Sequence, residues 1–205
     1  MPCLYKMRGL KMERFKNKYR IPSARLRSWD YGSPGLYFIT ICTNDRKNFL
    51  GEIKDAEMFL NENGTIADKC WSEIVEHFKN VELGEFVIMP NHIHGIIIIN
   101  EDIETGHAVE TGHAQSLQSD SSTHFRFRNQ GKNTISAMVG SFKSAVAKLA
   151  NRRDKACLVS TSEKFGWQSR FYDHIIRTRK EYLRISNYII NNIANWRQDK
   201  FYIEP

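Results

Sequence analysis

Long apolar runs are missing from this chain. Stretches such as Ile96 to Ile99 stop at four residues, against the roughly 20 needed to cross a bilayer. The opening residues, MPCLYKMRGLKM, lack the apolar centre of a secretory signal. Both absences predict a cytoplasmic protein. Cysteine is scarce and scattered, at Cys3, Cys42, Cys70 and Cys157, with no CxxC pair. That excludes a disulfide scaffold and a thiolate zinc centre, and predicts inert thiols in a reducing compartment. No GxxxxGK[ST] phosphate-binding loop is present.

What is present is enough for a core. Hydrophobic residues make up 41% and aromatic residues 12% of 205 residues, which predicts a globular domain. The net charge of +7 is unevenly placed. Residues 1–30 carry nine Lys/Arg against two Asp/Glu, residues 31–125 five against fifteen, and residues 126–205 sixteen against six. A basic arm and a basic C-terminal half suggest a polyanionic partner, nucleic acid first. A solvated basic face without a partner gives the same composition.

The pattern divides into an arm over 1–30, with weak helical content, and one domain over 31–205. Strands are predicted at Leu36 to Thr43, Phe49 to Ile53 and Met58 to Asn61, followed by a turn at Asn63-Gly64. Apolar positions at Ile66, Cys70, Trp71, Ile74, Val75 and Phe78 have helical spacing. Phe86 to Met89 and His92 to Ile99 read as strands around a break at Pro90-Asn91. Residues 100–133 are polar and read as a long mobile loop insertion. A helix over 134–150, a strand from Phe171 to Arg177 and a helix from Lys180 to Trp196 complete the order. It predicts an α+β two-layer sandwich with an antiparallel sheet.

His92 and His94 are two apart on a predicted strand, so both imidazoles leave one face. They are placed to share a divalent cation such as Mn²⁺ or Mg²⁺. Two ordinary histidines on a half-buried strand would show the same spacing. Tyr188 and Asn192 stand at i and i+4 on the last predicted helix, at the border of its Ile185/Ile189/Ile193 stripe. A tyrosine there is open to substrate, and the Asn192 carbonyl is a candidate third ligand. A boundary tyrosine and a surface asparagine would look alike. Trp167, Arg170, Arg177 and Arg184, with Lys16, Lys18 and Arg20 in the arm, are candidate DNA contacts. His174 reads as a core histidine. His107, His113 and His124 lack partners at ligand spacing.

The segment from Phe86 to Ile99 (FVIMPNHIHGIIII) resembles the HUH motif of single-tyrosine transposases. Trp167 to Arg177 (WQSRFYDHIIR) resembles the stretch before their catalytic helix, and Arg184 to Asn192 (RISNYIINN) their Tyr-Ile-x-x-Asn signature. Tyr31 to Ile53 and Asp68 to Phe78 agree, so the likeness spans roughly 20–100 and 134–196. It is closest to the REP-associated tyrosine transposases, the smallest insertion-sequence class. The resemblance implies a ferredoxin-like or RRM-like HUH endonuclease core. It implies Mg²⁺ or Mn²⁺ on His92, His94 and Asn192, with Tyr188 as nucleophile. It further implies single-stranded or hairpin DNA as substrate and a 5′-phosphotyrosine intermediate. The family has monomers and dimers that exchange their catalytic helices. Ile193 stands where the family often has proline, and the 100–133 loop is longer than usual. A host-retained nickase of palindromic repeats would use the same chemistry. A catalytically idle RRM-like binder and a hydrolase without covalent catalysis are the competing classes.

Overall fold

The computed structural model describes residues 14–15, 18–19, 29–101, 133–156 and 164–202. In the arm, β1 (Arg14–Phe15) pairs with β2 (Lys18–Tyr19), so its described part is a small antiparallel ribbon rather than weakly helical. Residues 102–132, most of the expected loop, lie outside the described residues, as do Lys16 and Arg20.

Strand β3 (Gly35–Cys42) follows the Ser33-Pro34 turn and alternates between faces. Strands β4 (Gly51–Lys54) and β5 (Glu57–Leu60) form a hairpin closed at Asp55 and Ala56, whose φ values are 50° and 60°. Such a turn matches the twist of the strands it joins. The turn expected at Asn63-Gly64 is instead the first turn of α1 (Glu62–Ser72). Asn61 caps that helix, its side chain accepting from Gly64 N at 3.0 Å. A Cβ at Gly64 would overlap the Leu50 carbonyl oxygen. The Asn-Gly pair therefore serves a close helix–chain approach, not a reversal. Helix α1 and the short α2 (Ile74–His77) are separate around Glu73, where one helix was expected.

Strand β6 (Val81–Met89) starts five residues earlier than expected, across a register shift between Leu83 and Phe86. It turns tightly at Pro90-Asn91 into β7 (His92–Ile99), which has its expected bounds. Then come α3 (Ile135–Ala156), β8 (Tyr172–Ile176) and α4 (Arg179–Ile190). The last helix ends six residues short of its expected end at Trp196. Asn191, Asn192 and Asn195 crowd this end, and the Asn191 side chain donates to Asn187 O at 2.7 Å. Asparagine competes with the backbone in this way and favours helix ends. A 3₁₀ turn, Trp196–Gln198, follows.

The main sheet has the order β6-β7-β3-β8 with every neighbouring pair antiparallel. With α1 between β3 and β6, and α3 between β7 and β8, this is the β-α-β-β-α-β plan of the ferredoxin-like fold. The chain is thus an α+β two-layer sandwich, as expected. Tyr37, Ile39, Ile41, Ile93 and Ile97 face α1 and α3 and pack with Trp71, Met138, Val139 and Phe142. The opposite face carries Cys42, Val87, Met89 and Ile96 against Ile185 and Ile189 of α4 and the trailing Trp196 and Phe201. Helix α4 and the segment after it are therefore laid over the face from which His92 and His94 project.

Candidate active site

His92 and His94 pair with Cys42 and Thr40 of β3 and with Met89 and Val87 of β6, in the middle of the sheet. Both are essentially without solvent contact. Burial holds the His94 imidazole down at about 4, below its ordinary 6.5, and holds His92 down in the same direction. Both are thus neutral at pH 7, the form that donates a lone pair to a metal.

Each ring is oriented by its second nitrogen. His92 Nδ1 lies 2.8 Å from Asn91 Oδ1. Asn91 Nδ2 donates to Phe201 O at 2.8 Å and Arg46 O at 3.1 Å, so its oxygen must be the acceptor from His92. The proton of His92 is then on Nδ1, and its buried Nε2 is left bare and without a partner. His94 Nδ1 lies 2.8 Å from Thr40 Oγ1, a hydroxyl that either donates or accepts. This freedom lets His94 carry its proton on either nitrogen.

Tyr188 enters from α4. Its hydroxyl is 3.1 Å from His94 Nε2 and 3.1 Å from Asp199 Oδ2. A carboxylate only accepts, so the phenol proton goes to Asp199 and His94 Nε2–H points to the phenol oxygen. Phe38 braces both rings, stacked on His94 at 5.3 Å and edge-on to Tyr188 at 6.3 Å. Burial, and then the Asp199 charge, push the phenol up to about 12 from its ordinary 10. At neutral pH Tyr188 is a protonated phenol, 40% exposed and so accessible from outside. The hydroxyl and the imidazoles that meet here belong to one chain.

Asn192 is 2% exposed. It lies one residue past the cap of α4 rather than within the helix, its N–H bonded to Ile189 O at 3.2 Å. Its Nδ2 donates to Asp199 Oδ2 at 3.1 Å, and its Oδ1 is buried without a partner. Two orphaned buried acceptors, His92 Nε2 and Asn192 Oδ1, thus occur in one small region. Such atoms are costly unless something absent from the chain satisfies them. The donor set of imidazole nitrogen and amide oxygen fits a divalent cation of the Mn²⁺ or Mg²⁺ kind.

Asp199 is the residue sequence reasoning missed. Its carboxylate and the two imidazoles place ligand atoms within 4.8 Å of one another. Its only signal was being an acid in a basic segment. Its neighbours were missed too. The Phe201 ring lies 4.5 Å from that of His92, with Lys200 4.8 Å and Arg46 5.2 Å from its centre. Of the expected DNA contacts, Arg170, Arg177 and Arg184 are exposed. Arg184 reaches Glu181 at 3.9 Å. The half-buried Trp167 ring packs on Phe142 and Phe165 at 5.7 and 5.0 Å, against the core of the other face. Lys18 lies in β2. His174 is half-buried and bonds Glu181 at 2.7 Å, tying β8 to α4.

An uncharacterized protein of Haemophilus influenzae is 36% identical over 182 residues, covering 89% of this chain and 93% of that protein. The chain belongs to that protein's family. No family model matches it. Among solved structures, a REP-associated tyrosine transposase bound to a REP hairpin shares the fold. The two superpose at a TM-score of 0.50 and 19% identity, over 87% of this chain and 77% of that one. Among the described residues, no helix is long and apolar enough to cross a membrane.

Proposed function

We propose that the chain is a metal-dependent tyrosine transposase, cutting and rejoining single-stranded or hairpin DNA in DNA transposition. The observation that carries this reading is Tyr188 Oη at 3.1 Å from His94 Nε2, beside the unsatisfied Nε2 of His92. His92, His94 and Asn192 would hold Mg²⁺ or Mn²⁺. A cation held there would supply Lewis-acid polarisation of the scissile phosphate and offset charge on its oxygens.

The chain's own groups do the rest. Tyr188 offers its oxygen to phosphorus and gives up the phenol proton. The new bond joins tyrosine oxygen to phosphorus; the bond from phosphorus to the 3′ oxygen breaks, and that oxygen takes up a proton. The product is a 5′-phosphotyrosine and a free 3′-hydroxyl. Because one phosphoester replaces another, rejoining needs no nucleotide triphosphate, in keeping with the missing phosphate loop. Lys200 and Arg46 beside Phe201 bring positive charge to the backbone at the site. Arg170, Arg177, Arg184 and the arm residues Lys16, Lys18 and Arg20 extend that charge along the strand. Trp167, half-buried against Phe142 and Phe165, joins them as a further candidate contact.

The test is cleavage of end-labelled hairpin DNA with Mn²⁺, comparing the wild type with His92→Ala. The reading expects the variant to bind DNA and leave it uncut. Cleavage at the wild-type rate by His92→Ala would remove the metal centre from the mechanism.

A further inference from the structure

Asp199 has the geometry of an organiser rather than of a metal ligand, although it clusters with the histidines. Three donors already occupy its carboxylate. Oδ2 accepts from Asn192 Nδ2 and from the Tyr188 hydroxyl, each at 3.1 Å, and Oδ1 accepts from Phe201 N at 2.7 Å. Asn192 Oδ1, by contrast, has a full lone-pair set and no partner. An acceptor-only carboxylate forces the amide nitrogen of Asn192 to face it, so the carboxamide cannot turn over and offer N–H where a ligand oxygen is needed. The same oxygen holds the phenol.

We propose that Asp199 is the positioning residue of this site: by accepting from Asn192 and Tyr188 on one oxygen, it sets the third metal ligand and the nucleophile together. The inference rests on the metal-centre reading above. It makes the segment from Trp196 to Tyr202, which follows the catalytic helix, part of the site. Phe201 N anchors the carboxylate, and Phe201 O anchors the Asn91 amide that orients His92. One short segment thus sets both ends of the ligand set. Partners that orient ligands typically change metal affinity by about 10–100-fold when removed.

The experiment is a Mn²⁺ titration of the full chain followed by electron paramagnetic resonance, without DNA. It uses wild type, His92→Ala, Asn192→Ala, Asp199→Ala, Asp199→Asn and the Asn192→Ala/Asp199→Ala double variant. Asp199→Asn is close to isosteric and covers the case in which Asp199→Ala fails to fold. It replaces one acceptor oxygen by a donor, so it cannot serve Asn192, Tyr188 and Phe201 together. The inference expects both Asp199 variants to bind Mn²⁺ about tenfold or more weakly than wild type. It also expects the double variant to bind no worse than Asn192→Ala, because Asp199 acts through Asn192. Additive losses in the double variant would make Asp199 a ligand in its own right and overturn the inference. So would wild-type affinity in both Asp199 variants while His92→Ala is silent. Absence of Mn²⁺ binding by the wild type would overturn the metal reading and this inference with it.

Discussion

Tyr188 Oη lies 3.1 Å from His94 Nε2, across 94 residues of sequence and within a single chain. Two features of the fold produce the contact. The sheet puts both imidazoles on the face that α1 and α3 leave open, and α4 packs on that face through Ile185 and Ile189. Thr178 fixes where α4 begins, accepting from Glu181 N at 3.2 Å.

The buried imidazoles predict acid sensitivity of the metal-free protein. Well above pH 6.5, His94 is neutral whether folded or unfolded, and contributes nothing to pH dependence. Between 6.5 and about 4 the unfolded chain takes up a proton that the folded one refuses. More protons on the unfolded state mean that stability falls as pH falls. For His94 alone the loss reaches about 3 kcal/mol near pH 4, and His92 acts in the same direction. Urea denaturation from pH 7 to 4 checks this, with His94→Gln expected to flatten the curve.

Asn91 is predicted to couple stability to metal affinity. Asn91→Ala leaves the Arg46 and Phe201 carbonyls and the His92 ring without their partner in the interior. Unsatisfied buried groups cost about 1–3 kcal/mol each. The melting temperature should fall, and Mn²⁺ affinity should drop about 10–100-fold. A variant that melts earlier yet binds Mn²⁺ normally would show that Asn91 supports only the fold.

Gly95 predicts a steric limit on the strand that carries the histidines. A Cβ there would overlap the fully buried Trp71 ring. Overpacking of this kind costs about 1–3 kcal/mol. Gly95→Ala should lose stability by that order in chemical denaturation, and Gly95→Ala/Trp71→Phe should recover part of it.

Much of this was legible in the residues. The His-x-His strand carried its own face assignment, because side chains alternate along β7. The tight break at Pro90-Asn91 fixed where β7 begins. The Asn63-Gly64 pair misled because its role is set by a contact with Leu50, a neighbour that turn chemistry does not see. The end of α4 was overrun because the apolar stripe continues through Ile193 and Trp196 after the backbone has left the helix. Asn192 keeps its place near Tyr188 all the same. Asp199 had no spacing to announce it: a turn and a 3₁₀ segment bring it back to the site, and neither has a period.

The basic arm is predicted to add charge without chemistry. Removing residues 1–30 should weaken single-stranded DNA binding most at low salt. The slope of log affinity against log salt should flatten by about 0.7 for each phosphate that the arm neutralises in the full-length protein. Mn²⁺ binding should be unaffected. An unchanged slope would take the arm out of DNA binding.

The most direct measurement is covalent capture. Wild type and Tyr188→Phe are incubated with Mn²⁺ and labelled hairpin DNA, then run under denaturing conditions. The expected result is a protein–DNA adduct that survives denaturant in the wild type and is absent in Tyr188→Phe. An equal adduct in both would contradict the assignment of Tyr188 as nucleophile.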